Sequence, residues 1–234
     1  MFLSTGLRSG TRKTHFLHDG NMARELDYQC KLCRREGVKL YLKGSRCESP
    51  KCAVERRNVA PGMHGYRRGK PSEYGVRLRE KQRLKRFYGV FERQFRRYFQ
   101  LASRSPENTG EVLLSILERR LDNVVYRLGW APSRYAARQL VSHGHVQLNG
   151  RTATIPSLLL KAGDTLTINN RQRSLQLVRL NLQTPSNQPP VPDHLEKTGD
   201  EPPSARMNRL PTRGDVDPHI QDIREQLVIE ISTR

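Results

Sequence analysis

All four cysteines of this chain lie in one short stretch, residues 30–52, with the spacing C-x2-C-x13-C-x4-C. Two short-spaced pairs joined by such a loop favour a tetrahedral zinc site, because each pair can occupy one edge of the tetrahedron. Basic residues between the cysteines would stabilise thiolates and offset the negative charge of the site: Lys31, Arg34, Arg35, Lys39, Lys43, Arg46 and Lys51. We therefore predict that Cys30, Cys33, Cys47 and Cys52 hold Zn2+, which organises an arm with almost no core of its own.

The sequence leaves other states of these cysteines open. The same four thiolates could hold an iron–sulfur cluster, and they could also be free thiols or form disulfides. The first 21 residues lack the apolar run of a secretory signal, so we expect a reducing compartment, in which structural disulfides are disfavoured. Four cysteine ligands would leave no open coordination position, which argues against a catalytic zinc.

The positive charge is large and is concentrated in one third of the chain. The formal net charge is +19, and residues 22–104 contain 23 lysines and arginines against eight acidic residues. A compact protein with this charge needs a polyanion to neutralise it. Nucleic acid is therefore the expected partner, and an anionic membrane surface is the alternative. The sequence has no apolar run of about 18 residues, so no membrane-spanning segment is predicted.

Apolar periodicity and capping residues predict helices in the first half of the chain. Ser72 can cap a helix that ends near Tyr88, and Phe91, Phe95 and Phe99 form the core stripe of a second helix. A long amphipathic helix is predicted over residues 111–128.

A small α+β module is predicted to follow. Ser133 can cap a helix that ends at Gly144, and Asn149-Gly150 within alternating residues predicts a tight β-hairpin. Residues 163–168 predict a strand and residues 174–182 a helix. Residues 184–218 contain eight prolines and are expected to be largely irregular, and EQLVIEIS near the end predicts a final strand.

Two blocks of this sequence resemble one family of RNA-binding proteins. MARELDYQCKLCRREGVKLYLKGSRCESPKC and the following AVERRNVAPGMHGYRRGKPSEYGVRLREKQRLKRFYGVFERQF resemble the start of the S4 family of small-subunit ribosomal proteins, in its zinc-containing bacterial form. Later residues are similar to the RNA-binding module named after that family: Ser133-Arg134, Ala137, Leu140, Gly144, Val146, Asn149-Gly150 and Gly163-Asp164. Both blocks in the right order make the resemblance specific, since the module alone also occurs in RNA-modifying enzymes.

The resemblance implies a structural constituent of the small ribosomal subunit, located on the cytoplasmic ribosome. Such a protein is a primary binder of small-subunit rRNA that nucleates assembly, lies beside small-subunit protein number five and contributes to translational accuracy. The sequence departs from the family at residues 1–21, which have no counterpart, and near His194-Leu195, where the usual Trp-Leu is missing. It also lacks an aromatic pair at the end, so less apolar packing is expected at Ile231-Ser232 and in the return segment.

Together these observations predict an α+β fold with a metal-bound N-terminal arm, a helical domain and an inserted α+β RNA-binding module. The predicted parts are a disordered extension (1–21), the four-cysteine metal-binding arm (22–62), a helical rRNA-binding domain with a proline-rich return and C-terminal strand (63–110 and 183–234), and the inserted module (111–182).

Exposed cations carry the predicted interface, because folded RNA is held mainly through its phosphates and its shape. Guanidinium groups match phosphate oxygens, so the arginines of the helix after Ser72 are the predicted phosphate clamps: Arg77, Arg79, Arg83 and Arg86. Tyr74 and Tyr88 are candidates for stacking on RNA or for simple packing. The full predicted RNA-binding set is Arg34, Arg35, Lys43, Arg46, Arg56, Arg57, Arg67, Arg68, Lys70, Tyr74, Arg77, Arg79, Lys81, Arg83, Lys85, Arg86, Ser133, Arg134, Arg138, Ser142, His143 and Asn149. The module residues of this set, Ser133 to His143, are expected to share one exposed helix face.

Parts of the sequence also suggest two other function classes. Arg120-Leu121-Asp122 mimics the motif that carries the catalytic Asp of pseudouridine synthases, but it falls within the predicted long helix rather than on a loop. The roughly 50 proline-rich residues after the module are also too few for a catalytic domain, so no enzyme is predicted and Asp122 is expected to be a structural pairing residue. A free-standing RNA chaperone or translational regulator built from the same modules stays open at this point.

Overall fold

The computed structural model describes residues 28–66, 69–183 and 190–233. The α-helices in this part of the chain are α1 (Gln29–Glu36), α2 (Ala53–Arg56), α3 (Glu73–Phe87), α4 (Glu92–Ser103), α5 (Thr109–Glu118), α6 (Leu121–Arg127), α7 (Arg134–Ser142), α8 (Gln172–Gln183) and α9 (Glu225–Ser232). The strands are β1 (Val146–Leu148), β2 (Arg151–Ala153), β3 (Thr165–Ile168), β4 (Leu195–Asp200) and β5 (Pro203–Met207). Within these residues, no helix is both long and apolar enough to cross a membrane.

The helices α3 and α4 follow from the local signals in the sequence. The Ser72 hydroxyl accepts a hydrogen bond from the Gly75 N–H at 3.1 Å, and so caps α3 as predicted. In α4 the apolar stripe is buried at Phe95 and Phe99. Phe91 departs from the prediction, because it is the residue before the helix and is 37% exposed.

The single long helix predicted over residues 111–128 is wrong, because the chain breaks between α5 and α6. Arg120 has an extended backbone conformation, and the Leu121 N–H donates to the Leu158 carbonyl at 2.8 Å instead of continuing a helix. The Arg120 side chain is fully buried against Asp122 and Tyr98. This buried ion pair and the backbone bond to the neighbouring loop hold the break in place.

The start of the module forms as predicted. The Ser133 hydroxyl accepts a hydrogen bond from the Ala136 N–H at 3.2 Å and caps α7. Strands β1 and β2 pair as a hairpin with Leu148 opposite Arg151. The two turn residues have positive φ, 50° at Asn149 and 77° at Gly150. This is the turn geometry that Asn-Gly favours between two twisted strands.

The sheet is larger than the sequence predicts. It has five antiparallel strands in the order β2-β1-β3-β5-β4, with Leu166 of β3 opposite Ala205 of β5. The expectation that residues 184–218 are largely irregular is therefore wrong for β4 and β5. His194 and Leu195 are buried (1% and 5% exposed), so the return segment packs without the family's Trp-Leu.

The final segment is a helix, not the predicted strand. Val228 of α9 is fully buried, and α9 packs against α3 and α5. The apolar run EQLVIEIS therefore fills a groove between helices rather than joining the sheet.

The buried residues form two clusters that redraw the domain boundaries. One cluster combines α3, α4 and α5 with the segment from Val216 to Val228, and the other runs from Leu121 to Met207. The helix α5 therefore belongs to the helical half, and the sheet half extends to about Met207 rather than ending at 182. Leu32, Leu40 and Leu42 of the arm lie in the helical cluster, so the arm shares a core with the rest of that half.

Candidate nucleic-acid interface and cysteine site

The fold brings the four cysteines to one small cavity. Cys30 and Cys33 lie one turn apart on α1, Cys47 ends a short 3-10 turn (Gly44–Cys47), and Cys52 directly precedes α2. All four line the same cavity, next to Lys43, Arg46, Ala53 and Val54. The Lys43 backbone N–H donates a hydrogen bond to the Cys47 sulfur at 3.4 Å.

The donor set suits a tetrahedral metal, although the side chains do not adopt the geometry of a metal site. The four cysteines form no disulfide with one another, and burial raises the pKa of Cys33 to about 11 and raises that of Cys47 as well. Among the described residues, no three His, Cys, Asp or Glu side chains are arranged to hold a metal ion. The backbone therefore gathers four sulfur ligands of the kind that zinc prefers, without showing metal-ligand geometry.

The predicted phosphate clamps on α3 are tied to carboxylates of the protein itself. Arg77 pairs with Glu230 of α9, and Arg83 pairs with Asp222 at 2.6 Å. Arg79 and Arg86 both pair with Glu36, the last residue of α1. These arginines therefore join α3 to the arm and to the C-terminal segment, which the sequence did not predict.

The two lysines of α3 in the predicted set are also engaged. Lys81 and Lys85 are buried (each 8% exposed) and reach Glu92 of α4 at 2.5 and 2.7 Å. Burial opposes ionisation of Glu92, but hydrogen bonds from the two lysines outweigh it and lower its pKa to about 2. At neutral pH this carboxylate is charged and holds both lysines away from solvent.

Five of the predicted cations of the arm are exposed, in contrast to those of α3. Arg35, Lys43, Arg46, Arg56 and Arg57 are exposed, and within the described residues none of them forms an ion pair with a carboxylate. Arg57 donates to the Tyr66 hydroxyl at 3.2 Å, and Arg34 is half-buried with its Nε donating to the Val59 carbonyl at 2.8 Å. Lys70 and Tyr74 are also exposed, Tyr74 by 59%. Arg67 and Arg68 of the predicted set lie outside the described residues, as do residues 1–21.

The predicted exposed face of α7 is wrong for its first turn. Ser133 is used as the helix cap, and Arg134 is buried (6% exposed) with its guanidinium on Asp217 at 2.6 Å. Arg138 is half-buried, with Asp122 3.5 Å away. Ser142 and His143, at the end of the helix, are exposed.

Two further predicted residues have structural partners. The Asn149 amide donates to Asp164 at 2.9 Å, and its oxygen accepts from the Thr165 N–H at 2.9 Å. Tyr88, a stacking candidate, is buried and its hydroxyl donates to Glu118 at 2.5 Å. Both side chains therefore stabilise the fold.

The Arg120-Leu121-Asp122 triplet lies at the break between α5 and α6, so its predicted position inside one long helix is wrong. The expectation of a structural role is confirmed, because the Arg120 guanidinium binds both oxygens of Asp122, at 3.0 and 2.5 Å. Both residues are buried, so the carboxylate is held by the guanidinium of its neighbour.

Some exposed cations were absent from the predicted set. Arg93, Arg97 and Arg104 lie on the solvent side of α4. Their position could have been deduced from the sequence, since they fall on the helix face opposite Phe95 and Phe99.

Comparison with known proteins is consistent across the chain. Residues 24–118 match the family described as the ribosomal protein S4/S9 N-terminal domain, and residues 119–166 match the S4 domain. The small ribosomal subunit protein uS4 of Pelotomaculum thermopropionicum is 50% identical over 213 residues, which cover 91% of this chain and 100% of that protein. The protein of the same name from Thermus thermophilus is 50% identical over 215 residues, with the same coverage. The junction between the two family matches coincides with the break between α5 and α6.

Proposed function

This chain belongs to the S4 family of ribosomal proteins, and on that premise we propose that it is a structural component of the small ribosomal subunit that binds ribosomal RNA. The observation that carries the proposal is the pair of family domains, in order, on a chain whose arm presents exposed cations without carboxylate partners in the described residues. The family is structural and RNA-binding rather than catalytic, and its place is the cytoplasmic ribosome.

The exposed cations of the arm and the exposed residues Ser142 and His143 at the end of α7 are the surfaces that best support RNA binding. Arg35, Lys43, Arg46, Arg56 and Arg57 present guanidinium and ammonium groups that can bind phosphate oxygens without first breaking an internal ion pair. Tyr74 is exposed beside the start of α3 and can stack on a base or ribose. Arg77, Arg79, Arg83 and Arg86 would contact phosphates only by exchanging their carboxylate partners.

We further propose that the four cysteines hold zinc. Cys30, Cys33, Cys47 and Cys52 line one cavity, and the basic residues around it would offset the charge of four thiolates. When bound, the metal would supply structural cross-linking, not chemistry. Elemental analysis of the purified protein tests this: one zinc per chain supports it, iron with the absorption of a cluster indicates the alternative, and no metal overturns it.

The finer role within the subunit is also a proposal. We place the protein among the early, primary binders of small-subunit rRNA, beside small-subunit protein number five, with an influence on translational accuracy. This rests on family membership and on a surface that can bind RNA before other proteins are present. Omitting the protein from reconstitution of the subunit should stop assembly at an early particle.

Co-sedimentation tests the main proposal. At moderate salt the protein should sediment with small subunits, and its affinity for small-subunit rRNA should decrease steeply with salt, as expected for on the order of five to ten phosphate contacts. Finding the protein only in the ribosome-free fraction would contradict the ribosomal role and favour a free-standing RNA regulator.

A further inference from the structure

The outer face of α4 carries a row of arginines that the fold does not use. Arg93, Arg97 and Arg104, together with Gln100, are exposed, and a helix with 3.6 residues per turn places them within about 60° of one another. The row is roughly 16 Å long, at 1.5 Å per residue. On the opposite side of the helix Phe95, Tyr98, Phe99 and Ala102 are buried in the core.

These three arginines differ from the cations of α3 in having no acidic partner among the described residues. Within the described residues, no carboxylate forms an ion pair with Arg93, Arg97 or Arg104, whereas all six cations of the neighbouring helix α3 are paired. Glu92, the acidic residue at the start of α4, is held by Lys81 and Lys85 and also contacts Arg96 at 3.3 Å. The local carboxylate is therefore already engaged on the side of the helix away from the row.

The position of the row is unfavourable for the isolated helix. Arg93 lies in the first turn of α4, where the positive end of the helix dipole disfavours a cation. Arg93 and Arg97 are four residues apart, so two like charges face each other on the helix surface. The fold therefore gains no stability from a cation at Arg93. A polyanion bound along the helix would offset both the unfavourable dipole interaction of Arg93 and its repulsion from Arg97.

We infer that the Arg93–Arg97–Arg104 face of α4 is a contact surface for the phosphate backbone of ribosomal RNA. The inference rests on the proposed function and assigns to α4 the role that the sequence assigned to the arginines of α3. The exposed side chain in the middle of the row is Gln100, not the aromatic or aliphatic anchor that a protein interface would normally present. Its guanidinium groups can each bind phosphate oxygens of an RNA strand.

A charge-matched pair of variants tests the inference in the full-length protein. The first combines Arg93→Gln, Arg97→Gln and Arg104→Gln. The control combines Arg179→Gln, Arg209→Gln and Arg213→Gln, which removes three arginines that are paired with Glu201, Asp215 and Glu225 and lie outside the predicted RNA-binding set. Binding to a small-subunit rRNA transcript is measured over a series of KCl concentrations, and folding is followed by urea denaturation.

The α4 variant should bind the transcript at least about tenfold more weakly at moderate salt, and the slope of log affinity against log salt should decrease by about 2 to 3. Its urea midpoint should stay the same or increase. The control should lose stability, with a change in slope of less than about 1. Equal slopes for the α4 variant and the wild type would overturn the inference.

The outcomes separate this inference from the proposed function. If the wild type and the α4 variant bind the transcript equally well, the inference is overturned but the ribosomal role stands. The row would then face another partner, such as an acidic protein. A wild-type protein that fails to bind the transcript at all overturns both.

Discussion

Arg134 is one of the buried residues that join the two halves of the molecule. Its Nη2 donates to Asp217 at 2.6 Å, and its Nε donates to Asn123 at 2.8 Å. The guanidinium lies over the Phe87 ring, 3.9 Å from its centre, and 4.4 Å from that of Tyr126. Because all of these groups are buried, the charge of Arg134 depends on Asp217 for compensation.

Replacing Asp217 should therefore strongly destabilise the folded protein. Asp217→Asn leaves a buried guanidinium without its countercharge, and we expect the free energy of unfolding to decrease by about 3–5 kcal/mol. Urea denaturation measures the change. Glu201→Gln is the control, because it breaks an ion pair with Arg179 whose side chains are 48% and 73% exposed, and it should cost about 1 kcal/mol or less. Similar losses in the two variants would contradict a central role for Arg134.

The same carboxylate should give the protein a defined acid response. Burial would raise the pKa of Asp217, but Arg134, His219 and Arg127 outweigh it and hold the pKa well below the usual range. A lowered carboxylate pKa stabilises the fold above the unfolded-state value of about 3.9, and this stabilisation decreases as pH falls below it.

The stability difference between wild type and Asp217→Asn should accordingly be constant near neutral pH and shrink as the pH is lowered through about 4. Comparing the two proteins removes the contributions of other carboxylates, including Glu36, whose pKa burial raises. A difference that stays the same down to about pH 3 would show that the Asp217 charge does not stabilise the fold.

At the scale of elements, the β1–β2 hairpin depends on Asn149 in two ways. Its φ of 50° lies in the left-handed region, and its amide bridges Asp164 and Thr165 at the start of β3. Asn149→Ala should therefore destabilise the protein by about 1–3 kcal/mol. Asn149→Gly keeps the turn conformation and loses only the hydrogen bonds, so it should cost less than the alanine variant.

Thermal and urea denaturation of both variants, together with rRNA binding, separate this role from the one that the sequence assigned to Asn149. A loss of RNA affinity without a loss of stability would show that Asn149 contacts RNA and would contradict the structural role.

Elements with strong local signals could be predicted from the sequence, and elements that depend on distant partners could not. The Ser72 and Ser133 caps and the Asn149-Gly150 turn are local interactions, so the helices and the hairpin they define were predicted correctly. The break at Arg120 depends on Asp122, Tyr98 and the carbonyl of Leu158, which the apolar periodicity does not reveal.

The misassigned segments at the C-terminal end show the same dependence. Strand β5 forms because its backbone pairs with the open edge of β3, although its sequence, PSARM, has few residues that favour strands. The segment EQLVIEIS has the branched residues of a strand, but packing of Val228 between α3 and α5 selects a helix.

Only part of the candidate site could be predicted from the sequence, again because some of its contacts join residues that are distant along the chain. Charge along the sequence identifies where cations are, so the exposed cations of the arm were found. It does not reveal that Glu36, Asp222 and Glu230 fold onto α3 and pair with its arginines. The acidic residues that do so are up to 153 positions away in sequence.

For the whole molecule, the two buried clusters predict two units of local stability. The arm belongs to the helical unit, because Leu32, Leu40 and Leu42 are buried in the same cluster as α3 and α4. Gly44 of the arm also lies against the backbone of Pro132, where a side chain would meet its carbonyl oxygen at 2.4 Å. Damage to the cysteine site should therefore spread first through the helical half, with which the arm shares its core.

Hydrogen exchange on the full chain can follow this spread after Cys47→Ser. We expect a loss of about 2 kcal/mol in the arm and in α3, because one of the four sulfur ligands and its cavity are disturbed. Amides of the sheet half, from Leu121 to Met207, should keep their protection. Ser45→Ala, an exposed change in the same loop, is the matched control and should leave both halves unchanged. Equal loss of protection in both halves would contradict this prediction and would mean that the molecule unfolds as one unit. Contacts such as the Arg134–Asp217 pair would then couple the two clusters so strongly that neither opens separately.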